Sequence, residues 1–274
     1  MEVIIRVRRG GAADDPEGRL RAYTLRTRPR MTVLDALMTI QNGEDPSLAF
    51  RHSCRVGMCG TCALRVNGRP RWACRTRLEG LGGTVTLEPL TNFPLLRDLA
   101  VDMTPFFEKM KRARAWAEPP EEGAAPLADG ASPPEPARIS PLSRERRRIE
   151  PHIECITCGI CYASCTMVGH DPDFLGPAAL NRAFTLVCDS REGDAAARLR
   201  EVGGEHGIWR CHSQFNCTEA CPKGISPATA IQGLRRRALA SAGRALIASI
   251  AGAASPGPEN DRPRPPGGED KEGN

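Results

Sequence analysis

Cys155-Ile156-Thr157-Cys158-Gly159-Ile160-Cys161-Tyr162-Ala163-Ser164-Cys165 is the stretch from which the rest of the chain can be read. Its thiols are spaced Cys-x2-Cys-x2-Cys-x3-Cys. Two residues between thiolates let a short loop wrap three corners of an iron–sulfur cube. The cysteine that follows points away from that cube and serves a second cluster. The spacing therefore predicts one cubane with a neighbour beside it. A structural zinc site is the plainer alternative. Zinc, however, takes two thiolate pairs separated by a longer loop, not four cysteines in one short run.

A second run lies downstream, Cys211-His212-Ser213-Gln214-Phe215-Asn216-Cys217-Thr218-Glu219-Ala220-Cys221-Pro222. Laid over the first, Cys211 falls on Cys155, Cys217 on Cys161 and Cys221 on Cys165. Gln214 falls where Cys158 stands. By the cross-over rule Cys155, Cys158 and Cys161 take Cys221 as fourth ligand and hold a 4Fe–4S cluster. Cys165, Cys211 and Cys217 then form a set with no fourth thiolate. A cube corner without a thiolate readily lacks its iron, which predicts a 3Fe–4S cluster. Removing a negative ligand also raises the reduction potential.

Upstream, Cys54-x4-Cys59-x2-Cys62 is followed by the distant Cys74, which is plant-type 2Fe–2S spacing. Gly57 and Gly60 suit a loop that must bring backbone N–H groups close to sulfur without Cβ clashes. Those N–H groups would stabilise the charge of the cluster. A zinc ribbon is again the alternative.

The chain has 274 residues, enough for two domains, with 4% aromatic residues, 27 glycines and 24 prolines. With so few rings, metal ligation is expected to help hold the fold. Net charge is +5. No basic stripe is interleaved with stacking aromatics, so no nucleic-acid partner is expected. Twelve cysteines could be disulfides in a secreted protein. The opening Met1-Glu2-Val3-Ile4-Ile5-Arg6-Val7 lacks the apolar stretch of a signal peptide, which points to a reducing compartment and metal-bound thiols. No apolar run of about eighteen residues occurs, so no transmembrane segment is expected. The remaining Cys188, beside Leu186 and Val187, reads as a buried structural thiol.

Alternation at Val3, Ile5 and Val7 predicts a strand, and Leu20–Thr27 a second. Thr32-Val33-Leu34-Asp35 reads as a capping box opening a helix with Leu34, Leu37, Met38 and Gln41 at helical spacing. Ala63–Val66, Asn67-Gly68 and Arg71–Cys74 read as a hairpin, and Thr84–Leu87 as a further strand. This is a small α+β sheet fold. Asn92–Trp116 reads as a connecting segment with a helix. Ala117–Leu142, with seven prolines and no aromatic residue, reads as an extended and poorly ordered connection. The four arginines of Arg144–Arg148 read as a solvated helix start. Leu175–Cys188, Asp194–Val202 and Ser226–Ile250 read as helices, the last opened by Ser226-Pro227. The expected division is 1–110, sheet domain with 2Fe–2S; 111–145, linker; 146–252, helical domain with 4Fe–4S and 3Fe–4S; and 253–274, disordered tail.

A plant-type 2Fe–2S motif followed by these two cysteine runs resembles the iron–sulfur subunit of succinate dehydrogenase and fumarate reductase. The resemblance covers roughly residues 1–245 and includes Ser53–Cys62, Leu175–Ala179, Asp189-Ser190-Arg191, Arg210-Cys211-His212 and Cys221–Gly224. It implies an N-terminal plant-type ferredoxin (β-grasp) domain and a C-terminal all-α domain of the bacterial-ferredoxin kind. It also implies electron transfer between the FAD of a flavoprotein subunit, which does the dicarboxylate chemistry, and quinone in a membrane anchor that can carry heme b. The site implied is the cytoplasmic face of the inner membrane, peripherally bound. Succinate dehydrogenases of the family usually follow the fourth cysteine of the run with Pro and a Trp pair at the quinone pocket. Here Cys165 is followed by Thr166-Met167-Val168-Gly169-His170, as in many fumarate reductases. His212, Gln214 and His170 are the quinone-side candidates. Two other readings stand beside this one: the iron–sulfur part of another flavoprotein complex, such as a thiol-dependent fumarate reductase, and a zinc-stapled interaction protein. Colour and an EPR spectrum separate the last, because zinc is colourless and silent.

Overall fold

Along β1 (Glu2–Arg9), Val3, Ile5 and Val7 are buried while Glu2, Ile4 and Arg6 face solvent, so the predicted alternation is the pleat of a half-buried strand. The chain is described here by a computed structural model over residues 2–11, 18–119 and 138–253. Residues 120–137, the centre of the expected Pro-rich connection, and the tail beyond Ala253 lie outside the described residues.

β1 pairs antiparallel with β2 (Arg19–Arg26) and parallel with β5 (Thr84–Glu88). β3 (Ala63–Val66) joins β5 to β4 (Arg69–Trp72), giving the five-stranded order β2-β1-β5-β3-β4. Across one face lies α1 (Val33–Gly43), which buries Val33, Leu34, Ala36, Leu37 and Ile40. Its capping box is formed: the Asp35 N–H donates to Thr32 Oγ1 at 3.1 Å, and the Thr32 N–H donates to Asp35 Oδ2 at 2.9 Å. This is the β-grasp, plant-type ferredoxin arrangement, and from Thr104 onward the regular elements of the described residues are helices.

One expectation is corrected. The second hairpin strand is Arg69–Trp72, not Arg71–Cys74. Asn67 (φ 48°) and Gly68 (φ 78°) complete the turn alone, so pairing resumes at once with Val66 opposite Arg69. Cys74 is thereby left beyond the strand. The expected connecting segment after Asn92 contains two short antiparallel strands, β6 (Leu95–Arg97) and β7 (Ala100–Val101), and the expected helix follows as α2 (Thr104–Arg112).

The helical part runs α3 (Arg144–Ile153), α4 (Ile160–Ala163), α5 (Thr166–His170), α6 (Gly176–Val187), α7 (Ala195–Val202), α8 (Asn216–Glu219) and α9 (Pro227–Ala253). Its core collects Phe106, Phe174, Leu180, Phe184, Ile208, Ile231 and Leu234 around α6. Cys188 is buried in that cluster. A buried ion pair, Arg198 to Glu192 at 2.8 Å, ties α7 to the chain after α2, because Arg198 also donates to the Trp116 carbonyl at 2.9 Å. Residues 1–238 form one unit and 239–274 a second, into which α9 continues with Leu239, Leu246 and Ile247 exposed.

Candidate iron–sulfur sites

The first thiol set sits where the loop after α1 enters the hairpin. Cys62 immediately precedes β3, and the Ala73 N–H donates to the Cys62 carbonyl at 3.1 Å, extending the ladder to the edge of Cys74. Cys62 and Cys74 are buried, while Cys54 and Cys59 lie at the half-buried rim. Arg55, Gly57 and Gly60 have φ of 58°, 79° and 71°. Left-handed residues in such a loop turn successive N–H groups inward and make an anion-binding concavity. The N–H groups of Met58 and Cys59 donate to Cys54 Sγ at 3.2 and 3.3 Å. The Val56 N–H, then that of Met58, hold the Cys54 thiol down to about 6. Burial pushes Cys62 up to about 12, with Cys74 and Cys59 close enough to add repulsion. One rim thiol is thus ready as a thiolate, and a buried one needs a cation to become so.

The second and third sets are interleaved. Burial raises Cys155, Cys158 and Cys161, and each also feels the sulfur of Cys221. All four line one cavity under Ala178, Ile225 and Pro227. Cys165 is raised by burial and feels Cys211; Cys217 is raised to about 11 and feels Cys165 and Cys211. So Cys221 stands with the first run, and Cys165 stands with the second. Soft thiolates so grouped suit iron–sulfur clusters. The positive charge of iron would offset the burial that otherwise keeps these sulfurs protonated.

The backbone repeats along with the cysteines. In the first run Thr157 and Gly159 are left-handed (φ 53° and 77°) and α4 starts at Ile160. Fifty-six residues on, counting from Cys155 to Cys211, Ser213 and Phe215 are left-handed (φ 54° and 64°) and α8 starts at Asn216. Both helices have four residues. Gln214 therefore occupies the turn position of Cys158. Phe215 takes, at a cost in strain, a conformation that Gly159 adopts freely. The Gln214 side chain is exposed and accepts a hydrogen bond from Thr166 Oγ1, next to Cys165. His212 is exposed beside Cys211, and His170 is exposed at the end of α5.

Several residues that spacing does not single out position these loops. Asn92 Nδ2 donates to the carbonyls of Tyr162, Ala163 and Cys165 at 3.0, 3.3 and 3.0 Å, and Thr91 Oγ1 donates to Ala163 O at 2.7 Å. Buried Lys109 donates to Tyr162 Oη at 2.8 Å. Arg235 of α9 donates to the carbonyls of Ile208 (2.9 Å) and Cys211. Arg210 and His206 hold Asp171 at 2.7 and 3.1 Å; burial would raise that carboxyl, and these two partners bring it down to about 2. The one sequence signal among them is polar residues inside apolar surroundings.

Comparison with known proteins agrees with this geometry. Residues 4–108 match the family described as a 2Fe-2S iron-sulfur cluster binding domain, and residues 152–225 match a 4Fe-4S dicluster domain. The fumarate reductase iron-sulfur subunit of Haemophilus influenzae is 38% identical over 223 residues, 79% of this chain and 85% of that one. This chain belongs to the family of succinate dehydrogenase and fumarate reductase iron–sulfur subunits. The subunit is 37% identical over 206 residues to the mitochondrial succinate dehydrogenase [ubiquinone] iron-sulfur subunit 1 of Oryza sativa, covering 74% of itself and 70% of the relative. It superposes on a chain of the Mycobacterium smegmatis Sdh1 complex in the apo form with TM-score 0.73 at 29% identity, covering 86% of this chain and 95% of that chain. The subunit is thus an electron-transfer component of an oxidoreductase complex, with 2Fe–2S and 4Fe–4S domains. No helix among its described residues is long and apolar enough to cross a membrane.

Proposed function

We propose that the subunit carries electrons in series between the FAD of a flavoprotein subunit and a quinone held by a membrane anchor, docking peripherally on the cytoplasmic face of the inner membrane. The ligands are Cys54, Cys59, Cys62 and Cys74 for 2Fe–2S; Cys155, Cys158, Cys161 and Cys221 for 4Fe–4S; and Cys165, Cys211 and Cys217 for 3Fe–4S. The division into domains at about residues 110 and 145 goes with this reading. When bound, the clusters supply one-electron stations of unequal potential. The chain's own residues bind them, hold them in order and exclude water from the buried sulfurs. At the third station the neutral Gln214 amide replaces a thiolate, so the site carries less negative charge and favours the reduced state. Exposed His212, Gln214 and His170 form its quinone side.

The single observation that carries this reading is the cavity in which Cys221, from the second run, joins Cys155, Cys158 and Cys161 of the first. The test is purification of the native complex, with EPR of the oxidised and dithionite-reduced states and with succinate oxidation and fumarate reduction assayed against quinone. A 3Fe signal in the oxidised state, reduced 2Fe–2S and 4Fe–4S signals, and a co-purifying flavoprotein are expected. Little iron and acid-labile sulfide, or recovery without any FAD-bearing chain, would overturn it.

A further inference from the structure

Trp72 ends β4 opposite Ala63, so its ring emerges beside Cys62 and two residues before Cys74. It is buried, with 7% of its surface exposed. Its Nε1–H is fully buried and has no hydrogen-bond partner among the described residues. A buried indole N–H is ordinarily paired, so an orphan calls for an explanation. The surroundings supply one. Cys158 packs against the buried cluster to which Trp72 belongs, which brings its sulfur within reach of the indole N–H. On its other side, a Cβ on Gly57 would come within 3.5 Å of Trp72 Cε3. The ring therefore spans from the first thiol loop to the first run of the helical part. Gly60 completes that contact: a Cβ there would lie 2.6 Å from the Cys158 Cβ. No mechanism based on the cysteines alone requires a donor at this point.

We infer that Trp72 is a positioning residue for electron passage between the sheet and the helical part, its indole N–H donating to the Cys158 thiolate and holding the 4Fe–4S site at a higher reduction potential. The inference rests on the reading of Cys158 as a 4Fe–4S ligand given above. A donor to a ligating sulfur withdraws charge from it, and the reduced state, which carries one more negative charge, gains most. One electron passes and no proton moves, because the indole keeps its hydrogen throughout. The ring's opposite edge lies against Gly57, and burial in the sheet core holds the indole in place.

The test uses the intact complex and Trp72→Phe, which keeps a ring and removes the donor. EPR-monitored potentiometry is expected to show a lowered midpoint for the 4Fe–4S signal alone, with the 2Fe–2S and third-cluster midpoints unmoved and the iron content equal to wild type. The wild type carrying 15N-indole tryptophan is expected to show nitrogen hyperfine coupling on the reduced 4Fe–4S signal. That measurement needs no variant and decides the matter if Trp72→Phe fails to assemble. An unshifted midpoint in the variant, or no nitrogen coupling in the wild type, overturns the role of Trp72 while leaving the ligand assignment intact. Absence of any 4Fe–4S signal from the wild type overturns both.

Discussion

Gln214 is the residue on which the character of the third site turns. Ser213 and Phe215 flank it in the same left-handed conformations that flank Cys158, so the backbone already offers a ligand position there. Gln214→Cys should convert the 3Fe signal of the oxidised complex toward 4Fe–4S and lower the potential of that site; a 3Fe signal of undiminished intensity would count against the overlay. Gly60 is constrained in a different way. Its φ is 71°, and any Cβ would press on Cys158 Cβ at 2.6 Å and Cα at 2.9 Å, which are backbone-fixed atoms. Gly60→Ala should cost about 1–3 kcal/mol from overpacking, with left-handed strain added, and should lower 4Fe–4S occupancy although Gly60 ligates nothing. Denaturation midpoints and iron content against wild type read this directly, and an unchanged pair of values would refute it. The cysteines and Gln214 were legible in the sequence because ligand spacing is local. Trp72 and Gly60 touching Cys158 was not, because that contact joins segments about ninety residues apart and depends on the register of β4.

Elements of about one turn carry the candidate ligands Cys161 and Cys217, and Cys165 caps a third. α4, α5 and α8 are four or five residues long, too short for a helical repeat of apolar residues to show, and none was visible beforehand. Longer elements with full periodicity, α1, α6 and α9, were readable, as was the alternation of β1. β6 and β7 escaped notice because two or three residues make no alternation. What holds the short helices in place is instead a polar clamp from the sheet side. Asn92, itself at φ 65°, donates to three carbonyls around the end of α4 and Cys165. Asn92→Ala would remove the amide donor from all three carbonyls, while Ala163 keeps Thr91 Oγ1 and Tyr162 keeps the Cys165 N–H. At about 1 kcal/mol per lost bond the expected destabilisation is roughly 2–3 kcal/mol. Because Cys165 is clamped directly, the 3Fe–4S signal should broaden or fall before the 2Fe–2S signal changes. Equal loss of both signals would show that the clamp supports the whole fold, not this loop.

At the scale of the whole molecule, the two halves depend unequally on their thiols. The sheet half has an apolar core of its own from β1, β3, β5 and α1, in which Cys62 and Cys74 are two buried members among many, including Val3, Ile5, Leu37 and Val85. The helical half packs the partly buried Cys161, Cys165 and Cys211 against its core, and Cys155, Cys158, Cys161 and Cys221 line a cavity within it. Ligation free energy there is folding free energy. Removing iron and sulfide anaerobically with a chelator should therefore strip hydrogen-exchange protection from α4, α5 and α8 first and leave β1 and β5 protected. The pH dependence follows from the thiols. In the stripped chain Cys217 is held up to about 11 by burial, above the ordinary thiol value of about 8.5. A raised folded-state value means that the contribution of Cys217 to stability is fully present below about pH 8.5 and disappears as pH climbs through about 11. With Cys217 ligated as proposed, the cluster-loaded chain would have no free thiol there to titrate, so its stability should not share that alkaline decline. Urea midpoints of stripped and loaded protein compared at pH 7.5 and pH 10.5 test this: the gap between them should widen with pH. A constant gap would mean that the thiols add no pH dependence to the stripped chain, and simultaneous loss of protection in β1 and α8 would mean that the sheet half depends on its metal as much as the helical half.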